Sequence, residues 1–424
     1  FVVVVGIVGT IVGGLVEYYL EKELNGLSLK GTVDPAFAPI KAQLQEILDE
    51  ERGGLSLSVL HKGRLVVDLF GGWADPETGR EWTNDTLAVA FSTTKIFVGL
   101  IFEFLRKQGA TFDYNDKVVN VWPEFGRNGK ENTTIRDILD HKAGLLHFSR
   151  DFTLAEAYDD NFISKIIEET TPQWSPGERM GYSGIAYGFI IDQLVRRIDS
   201  KGRNSSAFFN EEIKSLSKDI EFYIGTPSSE HYRIATISNP SIADSIIAHA
   251  SHPLRYLAIL SNFLANNMLA LSSSSYPSFL DIMHPHVIPY NSVEIRSLGL
   301  VSCMGTGTTR SMANTIHTAG SMFDANEKQQ MFRPTEELFD LVLAKERLIG
   351  RGFSYLPHPT HSNRHVISFW GNGLQMVVWD YLDDVVLVLL RNGLHAGDEG
   401  VDEAHSLIRR VFQLVQSTND VPHE

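Results

Sequence analysis

Short apolar runs bounded by turn-forming residues occur near both ends of the chain and predict strands. Residues 55–60 and 64–70 flank the turn 61–63, which is the pattern of a β-hairpin, and the glycine pair in 71–73 predicts the end of its second strand. Near the C-terminus, strands are predicted at 366–370, 374–379 and 385–390.

Elsewhere the apolar positions recur with a spacing near 3.6 residues, which predicts helices. The predicted helices are 35–50, 93–108, 134–140, 153–169, 185–199, 253–267, 309–320 and 401–416. The 93–108 segment is apolar nearly all round and is expected to be buried. Residues 272–290 hold several Ser, Pro and His residues and are expected to be irregular.

Strands at both ends and helices between them predict an α+β fold. We expect one antiparallel sheet built from both termini, flanked by helices, with a helical insertion at about 110–300. Residues 34–420 form the expected domain, and residues 21–33 are expected to be a linker leading to it.

The N-terminal segment 1–20 is strongly apolar, and its first sixteen residues carry no charge. This length predicts a membrane anchor, with a signal segment as the alternative. Asn84, Asn132 and Asn204 begin N-x-S/T sequons and are glycosylation candidates. We therefore expect a membrane-anchored protein whose body is lumenal or extracellular, with a secreted or mitochondrial location as alternatives.

The amino-acid composition excludes some classes of partner and of chemical site. The chain of 424 residues is 43% apolar and 21% charged, so a packed core is expected. A net charge of −15 argues against nucleic acid as a partner. Cys303 is the one cysteine, which excludes an internal disulfide and a thiolate metal site, and we expect it to be a buried thiol.

The fifteen histidines are scattered and predict no metal or other cofactor. A loose histidine cluster leaves metal binding open as a minor alternative; its members are His284, His286, His358, His361 and His365. The sequence contains no H-E-x-x-H, P-loop or dinucleotide motif.

The strongest chemical signal is Ser92 followed by Lys95 at the start of the predicted buried helix. Residues three apart share a helix face, so the amine would lie beside the hydroxyl, and the helix N-terminus would offer N–H groups to an oxyanion. A serine needs a proton acceptor to become a nucleophile, and burial favours the neutral form of lysine. The alternative is a helix-capping serine with a solvated lysine.

Two further segments carry candidate site residues. Tyr182 follows a Pro-Gly turn and precedes an apolar helix, so its hydroxyl could enter a cleft and act as a base; the alternative is a core tyrosine. Trp370, Gly371, Asn372 and Gly373 interrupt an apolar strand pair, where close backbone approach could supply a second oxyanion donor and bind substrate; the alternative is a bulge.

Together these segments resemble the serine β-lactamase-like superfamily, and within it the branch of class C β-lactamases and family VIII carboxylesterases. The chain is also similar to animal β-lactamase-like proteins. The resemblance spans about 34–395, and its segments are 66–75, 91–95, 122–125, 138–145, 174–188 and 304–313. It implies that Ser92 is acylated, that Lys95 and Tyr182 transfer protons, and that a backbone N–H near Asn372 or Gly373 helps hold the oxyanion.

Two departures shape the expected activity. Gly184 stands where the family's tyrosine motif often has Asn, and Trp370-Gly371-Asn372 replaces the K-T-G or H-x-G motif. Ester or amide hydrolysis is therefore expected rather than β-lactam hydrolysis, on a small-molecule or peptide substrate. The alternative is a catalytically weak or inactive relative that serves as a scaffold or binding protein. The sequence leaves the oligomeric state open.

Overall fold

A computed structural model describes residues 27–217, 220–240, 277–280, 288–395 and 400–419, together with scattered positions of 253–264. Its strands are β1 (Lys30–Val33), β2 (Gly54–His61), β3 (Arg64–Asp75), β4 (Arg80–Glu81), β5 (Ala88–Val89), β6 (Phe222–Ile224), β7 (Gly305–Gly307), β8 (Glu336–Asp340), β9 (Lys345–Gly350), β10 (Phe353–Pro357), β11 (His365–Gly371), β12 (Gln375–Asp380) and β13 (Val385–Arg391).

The large sheet is antiparallel and joins both ends of the chain. Its strand order is β1-β3-β2-β13-β12-β11-β10-β9-β8, with β4 beside β3. The N-terminal hairpin meets the C-terminal strands where β2 pairs with β13, from Leu55 opposite Arg391 to His61 opposite Val385. A small sheet has the order β5-β7-β6. The predicted fold class is confirmed.

The α-helices of the described chain are α1 (Pro39–Asp49), α2 (Ile96–Lys107), α3 (Ile135–Leu139), α4 (Leu154–Ala157), α5 (Asp160–Glu169), α6 (Ala186–Ile198), α7 (Ser205–Phe208), α8 (Val293–Arg296), α9 (Thr309–Ser321), α10 (Ala325–Met331) and α11 (Val401–Asn419). A π-helical turn covers Phe209–Ile213. Short 3₁₀ helices include Pro35–Phe37, Phe91–Lys95 and Ser228–Arg233.

The large sheet separates two apolar cores, because successive side chains of a strand point to opposite faces. On β13, Leu387 and Leu389 pack with α1 and α11, whereas Val386 and Val388 face the larger core that contains α2 and α9. β13 is buried along its whole length, as expected for a strand covered on both faces.

Several predicted boundaries differ from the observed ones. β3 continues through the glycines at 71 and 72 to Asp75, because Gly54 and Leu55 of β2 still pair with them. The predicted helix 153–169 is two helices, since Asp159 caps the second one by accepting from the N–H groups of Asn161 and Phe162.

β8, β9 and β10 were not predicted, although they complete one end of the large sheet. The first two, EELFD and KERLIG, contain few β-branched residues, and each is largely solvent-accessible. β1 is likewise a strand at the end of the segment expected to be a linker, and it pairs with β3 from Lys30 to Val33.

The expected anchor segment 1–20 lies outside the described residues. In the part of the chain that the structure describes, no helix has the length and apolar character needed to cross a membrane. Of the glycosylation candidates, Asn84 and Asn132 are exposed. Asn204 is half-buried and caps α7, with its side-chain oxygen accepting from the Ala207 N–H. Glycosylation stays a prediction.

Candidate active site

Ser92 lies in the 3₁₀ turn Phe91–Lys95, which leads directly into α2. Phe91 has a φ of 45°, a left-handed conformation that costs energy for a residue with a side chain and often occurs at functional sites. Thr94 supports the turn, because its hydroxyl donates to the Phe91 carbonyl at 2.6 Å and accepts from the Gly305 N–H at 3.1 Å. Ser92 itself stays partly accessible.

Lys95 is buried, with 1% of its surface exposed, so the alternative of a solvated lysine is wrong. Its Nζ lies 3.2 Å from Ser92 Oγ and donates to the carbonyl oxygens of Gly184, at 3.0 Å, and Ser302, at 2.8 Å. Backbone carbonyls from two distant segments therefore hold the amine against the serine hydroxyl.

The structure brings Tyr182 to the same hydroxyl, 90 residues away in sequence. The Tyr182 hydroxyl donates to Ser92 Oγ at 2.6 Å. Two cations lie over the tyrosine ring, with Lys95 Nζ 4.9 Å and Arg347 Cζ 5.5 Å from its centroid. The Tyr182 N–H donates to the carboxylate of Asp340 at 3.1 Å, which anchors the tyrosine segment to the end of β8.

His141 is buried beneath this group and has a φ of 58°. Its ring stacks on that of Tyr187, with the ring centroids 4.3 Å apart, and its Nδ1 accepts from the Ser183 N–H at 3.3 Å. Burial lowers the pKa of His141 well below its usual value, and the nearby charges of Arg347 and Lys95 lower it further. The imidazole is therefore neutral, with its proton on Nε2.

The end of β11 passes beside the Ser92 turn: a Cβ added to Gly371 would lie 3.0 Å from the Ala90 carbonyl oxygen. Phe369 belongs to the core on this side of the sheet. Trp370 packs on the opposite face against His405 of α11, with ring centroids 5.0 Å apart. The tryptophan side chain therefore does not line the site, which corrects its expected role in substrate binding.

Asn372 and Gly373 form the hairpin turn between β11 and β12 rather than a bulge. Gly371 pairs with Gln375, and Gly373 and Leu374 have φ values of 77° and 62°. A turn that ends beside the serine segment leaves its backbone N–H groups as candidates for the second oxyanion donor.

Cys303 is buried near the site, as expected from the sequence. The Tyr290 hydroxyl donates to its sulfur at 3.8 Å, and burial raises the pKa of the thiol above its usual value. A thiol that retains its proton is a poor nucleophile, so Ser92 is the better candidate.

Of the loose histidine cluster, His284 and His286 lie outside the described residues, whereas His358 faces two carboxylates. Its Nε2 lies 3.2 Å from Asp380 and 3.5 Å from Asp383, a set that could hold a metal ion. Arg364 lies 2.5 Å and 3.2 Å from the same carboxylates. His358 Nδ1 also accepts from backbone N–H groups, so its proton is on Nε2 and points at Asp380. These contacts describe an ion-pair network.

Asp140, next to His141, is a buried carboxyl whose ionisation is expected to affect the stability of the fold. Burial raises the pKa of its carboxyl to about 7. One oxygen accepts from the Gly352 N–H at 2.9 Å, and the other has no hydrogen-bond partner among the described residues. Because the folded pKa lies above the unfolded value of about 3.9, ionisation weakens the fold; the loss begins near pH 4 and is complete above pH 7.

Asp140→Asn is therefore expected to raise the free energy of unfolding by up to about 4 kcal/mol near pH 8 and to change it little near pH 4. Asparagine retains the oxygen that accepts from Gly352 and removes the buried charge. Denaturant unfolding at the two pH values measures the difference. An equal effect at both would show that ionisation of this carboxyl is not the cause.

Comparison with known proteins gives the same fold. A family VIII carboxylesterase structure superposes with a TM-score of 0.74 and 22% identity, covering 91% of this chain and all of the other. A penicillin-binding protein homologue from Caulobacter crescentus gives a TM-score of 0.73 with 23% identity, covering 91% of this chain and all of that one.

Sequence relatives include the esterase/beta-lactamase LipL of Mycobacterium tuberculosis, 30% identical over 221 residues, which are 51% of this chain and 49% of LipL. A beta-lactamase of Yersinia enterocolitica is 25% identical over 144 residues, 34% of this chain and 36% of that protein. The chain thus aligns with half or less of the length of these two relatives. The beta-lactamase family model matches residues 40–409, and the chain belongs to the beta-lactamase family.

Proposed function

We infer that the protein is a serine hydrolase that cleaves a small ester or amide through an acyl-enzyme at Ser92. The observation that carries this proposal is the meeting of three groups: Tyr182 Oη and Lys95 Nζ lie 2.6 Å and 3.2 Å from Ser92 Oγ. A partly accessible hydroxyl with two proton-transfer partners, at the start of a buried helix, is the arrangement that nucleophilic catalysis needs.

The reaction follows from these positions. Ser92 Oγ attacks the carbonyl carbon of the substrate as its proton passes to the Lys95–Tyr182 pair, and the carbonyl oxygen becomes an oxyanion. The Ser92 N–H and a backbone N–H of the Asn372–Gly373 turn stabilise that charge. The C–O or C–N bond then breaks, and the leaving group receives the proton. Water, deprotonated by the same pair, releases the acyl group and restores Ser92.

Two features of the site favour a neutral ester over a β-lactam. Trp370 stands where the third motif has its cation, and its side chain packs against His405 on the opposite face of the sheet, so this position offers no positive charge to a substrate carboxylate. Gly184 lacks a side-chain amide, and the one atom near a Cβ built there is Tyr182 Cε1 at 3.7 Å. The LipL relative is named both esterase and beta-lactamase, and the similar carboxylesterase structure supports the ester assignment.

We expect the purified chain to hydrolyse p-nitrophenyl acetate or butyrate with a kcat/KM about a hundredfold higher than its kcat/KM for nitrocefin, because the β-lactam carboxylate finds no cation on β11. Steady-state absorbance assays of both substrates measure the ratio. A larger kcat/KM for nitrocefin would contradict the ester assignment. No turnover of any ester or amide would favour the scaffold alternative.

A further inference from the structure

Arg347 is a site residue that the sequence analysis did not identify. It lies on β9, and its guanidinium carbon is 5.5 Å from the centroid of the Tyr182 ring, within the range of a cation–π contact. Its side chain is 11% exposed, and Nη1 donates to Asp340 at 3.1 Å. The guanidinium is thus held over the ring of Tyr182, the residue whose hydroxyl contacts Ser92.

Asp340 links this arginine to the tyrosine backbone. One carboxylate oxygen accepts from the N–H groups of Tyr182, Val342 and Leu343, and the other accepts from Arg347. The side chain of Asp340 is fully buried. A single carboxylate therefore sets both the position of the Tyr182 main chain and the position of the cation above its ring.

The charges around Tyr182 are few. Lys95 and Arg347 are the cations that the described residues place over its ring, and Asp340 is the carboxylate bonded to its N–H. His141, whose ring centroid is 5.1 Å away, is neutral. Tyr187 and Tyr290 also face this group, and burial raises the pKa of each well above its usual value, so both stay neutral.

The sheet supplies no replacement for Arg347 in the described region of β11. Phe369 and Gly371 face the site from that strand, and Trp370 points to the other side. The second positive charge near the tyrosine therefore comes from β9 instead of the third motif.

We propose that Arg347 is a positioning residue for the hydrolase reaction: held by Asp340, it fixes the Tyr182 ring, and its charge favours the deprotonated, reactive form of the Ser92–Lys95–Tyr182 group at neutral pH. This inference rests on the proposed function. A positive charge nearby stabilises the form of the group that has lost a proton, whether the proton leaves the phenol or the ammonium.

The test is the pH dependence of kcat/KM for a p-nitrophenyl ester, measured on the full chain and corrected for buffer hydrolysis. Arg347→Gln removes the charge but keeps a donor for Asp340, and Arg347→Lys keeps the charge. Lys345→Gln removes a positive charge from an exposed position of the same strand and serves as the matched control. Wild type and Ser92→Ala are measured in the same series, and thermal unfolding checks that each variant is folded.

In Arg347→Gln we expect the acidic limb of the profile to move up by about one pH unit, so that the rate at neutral pH falls about tenfold and recovers at high pH. Arg347→Lys should restore most of the limb, and Lys345→Gln should match wild type. A lower rate in Arg347→Gln with an unmoved limb, or an unchanged profile, overturns the proposal.

Two other outcomes are also decisive. If Arg347→Gln does not fold, the pH profile of Arg347→Lys decides instead. An acidic limb at the wild-type pH, with most of the wild-type rate retained, supports the role of the charge. A loss of activity without a shift of the limb refutes it. If the wild type is active but the acidic limb of the Arg347→Gln profile stays at the wild-type pH, this inference alone is refuted. Wild type without Ser92-dependent turnover refutes the proposed function and this inference together.

Discussion

Ser92→Ala is expected to lower kcat/KM for p-nitrophenyl butyrate by at least about a thousandfold, because the variant has no atom that can form the acyl-enzyme. The fold should persist, since the side chain is partly accessible and its contacts are to Lys95 and Tyr182. Initial rates over a range of substrate concentrations measure the loss, and circular dichroism confirms the fold.

Ser417→Ala is the matched control for this variant. Ser417 lies on α11, on the sheet face opposite the site, and its hydroxyl donates to the Gln413 carbonyl within the same helix. Its kcat/KM should equal that of wild type. Ester hydrolysis that survives Ser92→Ala at the wild-type level would reject Ser92 as the nucleophile.

Tyr182→Phe is expected to lower kcat by about a hundredfold to a thousandfold, which is the usual contribution of a positioned proton-transfer group. Phenylalanine fills the same volume and keeps the N–H bond to Asp340, so the free energy of unfolding should change little. What the variant loses is the oxygen 2.6 Å from Ser92 Oγ. Single-turnover kinetics with an ester substrate separate this loss in chemistry from substrate binding.

Tyr187→Phe is the same substitution five residues later and gives the opposite pattern. Its hydroxyl donates to the Leu139 carbonyl at 3.0 Å and lies in the buried core. Losing that bond should cost about 1 kcal/mol of stability and leave kcat within about threefold of wild type. Equal losses of activity in the two variants would show that packing of this helix, rather than the Tyr182 hydroxyl, supports turnover.

The main features of the fold were predictable because they follow from simple patterns. β13 is a run of apolar residues, β2 alternates leucine and valine with serine, and the buried faces of α1 and α9 repeat at helical spacing, so burial and periodicity agree. β8 and β9 were missed for the opposite reason. They lie at one edge of the sheet, where half-exposed strands tolerate Glu, Lys and Asp, and their stability comes from pairing that only the folded sheet provides.

The candidate site likewise contains residues that local sequence patterns predicted and residues that they did not. Ser92, Lys95 and Tyr182 lie in short motifs next to apolar helices, and the structure brings their reactive atoms together. Asp340 lies on the edge strand β8 and Arg347 on its neighbour β9; neither strand was predicted, so no local pattern connects these residues with Tyr182.

The role expected for Trp370 shows how a small shift in a strand changes a prediction. In the structure Gly371 of this segment approaches Ala90, next to the serine turn. Side chains alternate along a strand, so an offset of one residue exchanges the two faces. The structure puts Phe369 on the site face and Trp370 against His405. The backbone of the turn, rather than the tryptophan side chain, is therefore the part of this segment that remains a candidate for binding the oxyanion.

The most direct test of a serine nucleophile is to identify the residue that a fluorophosphonate probe labels. The purified protein is treated with the probe, digested and sequenced by mass spectrometry, with Ser92→Ala treated in parallel. We expect one adduct on wild type, on the side chain of Ser92, and none on the variant. An adduct on a different residue, or an ester-hydrolysing protein that forms no adduct at Ser92, would contradict the proposed mechanism.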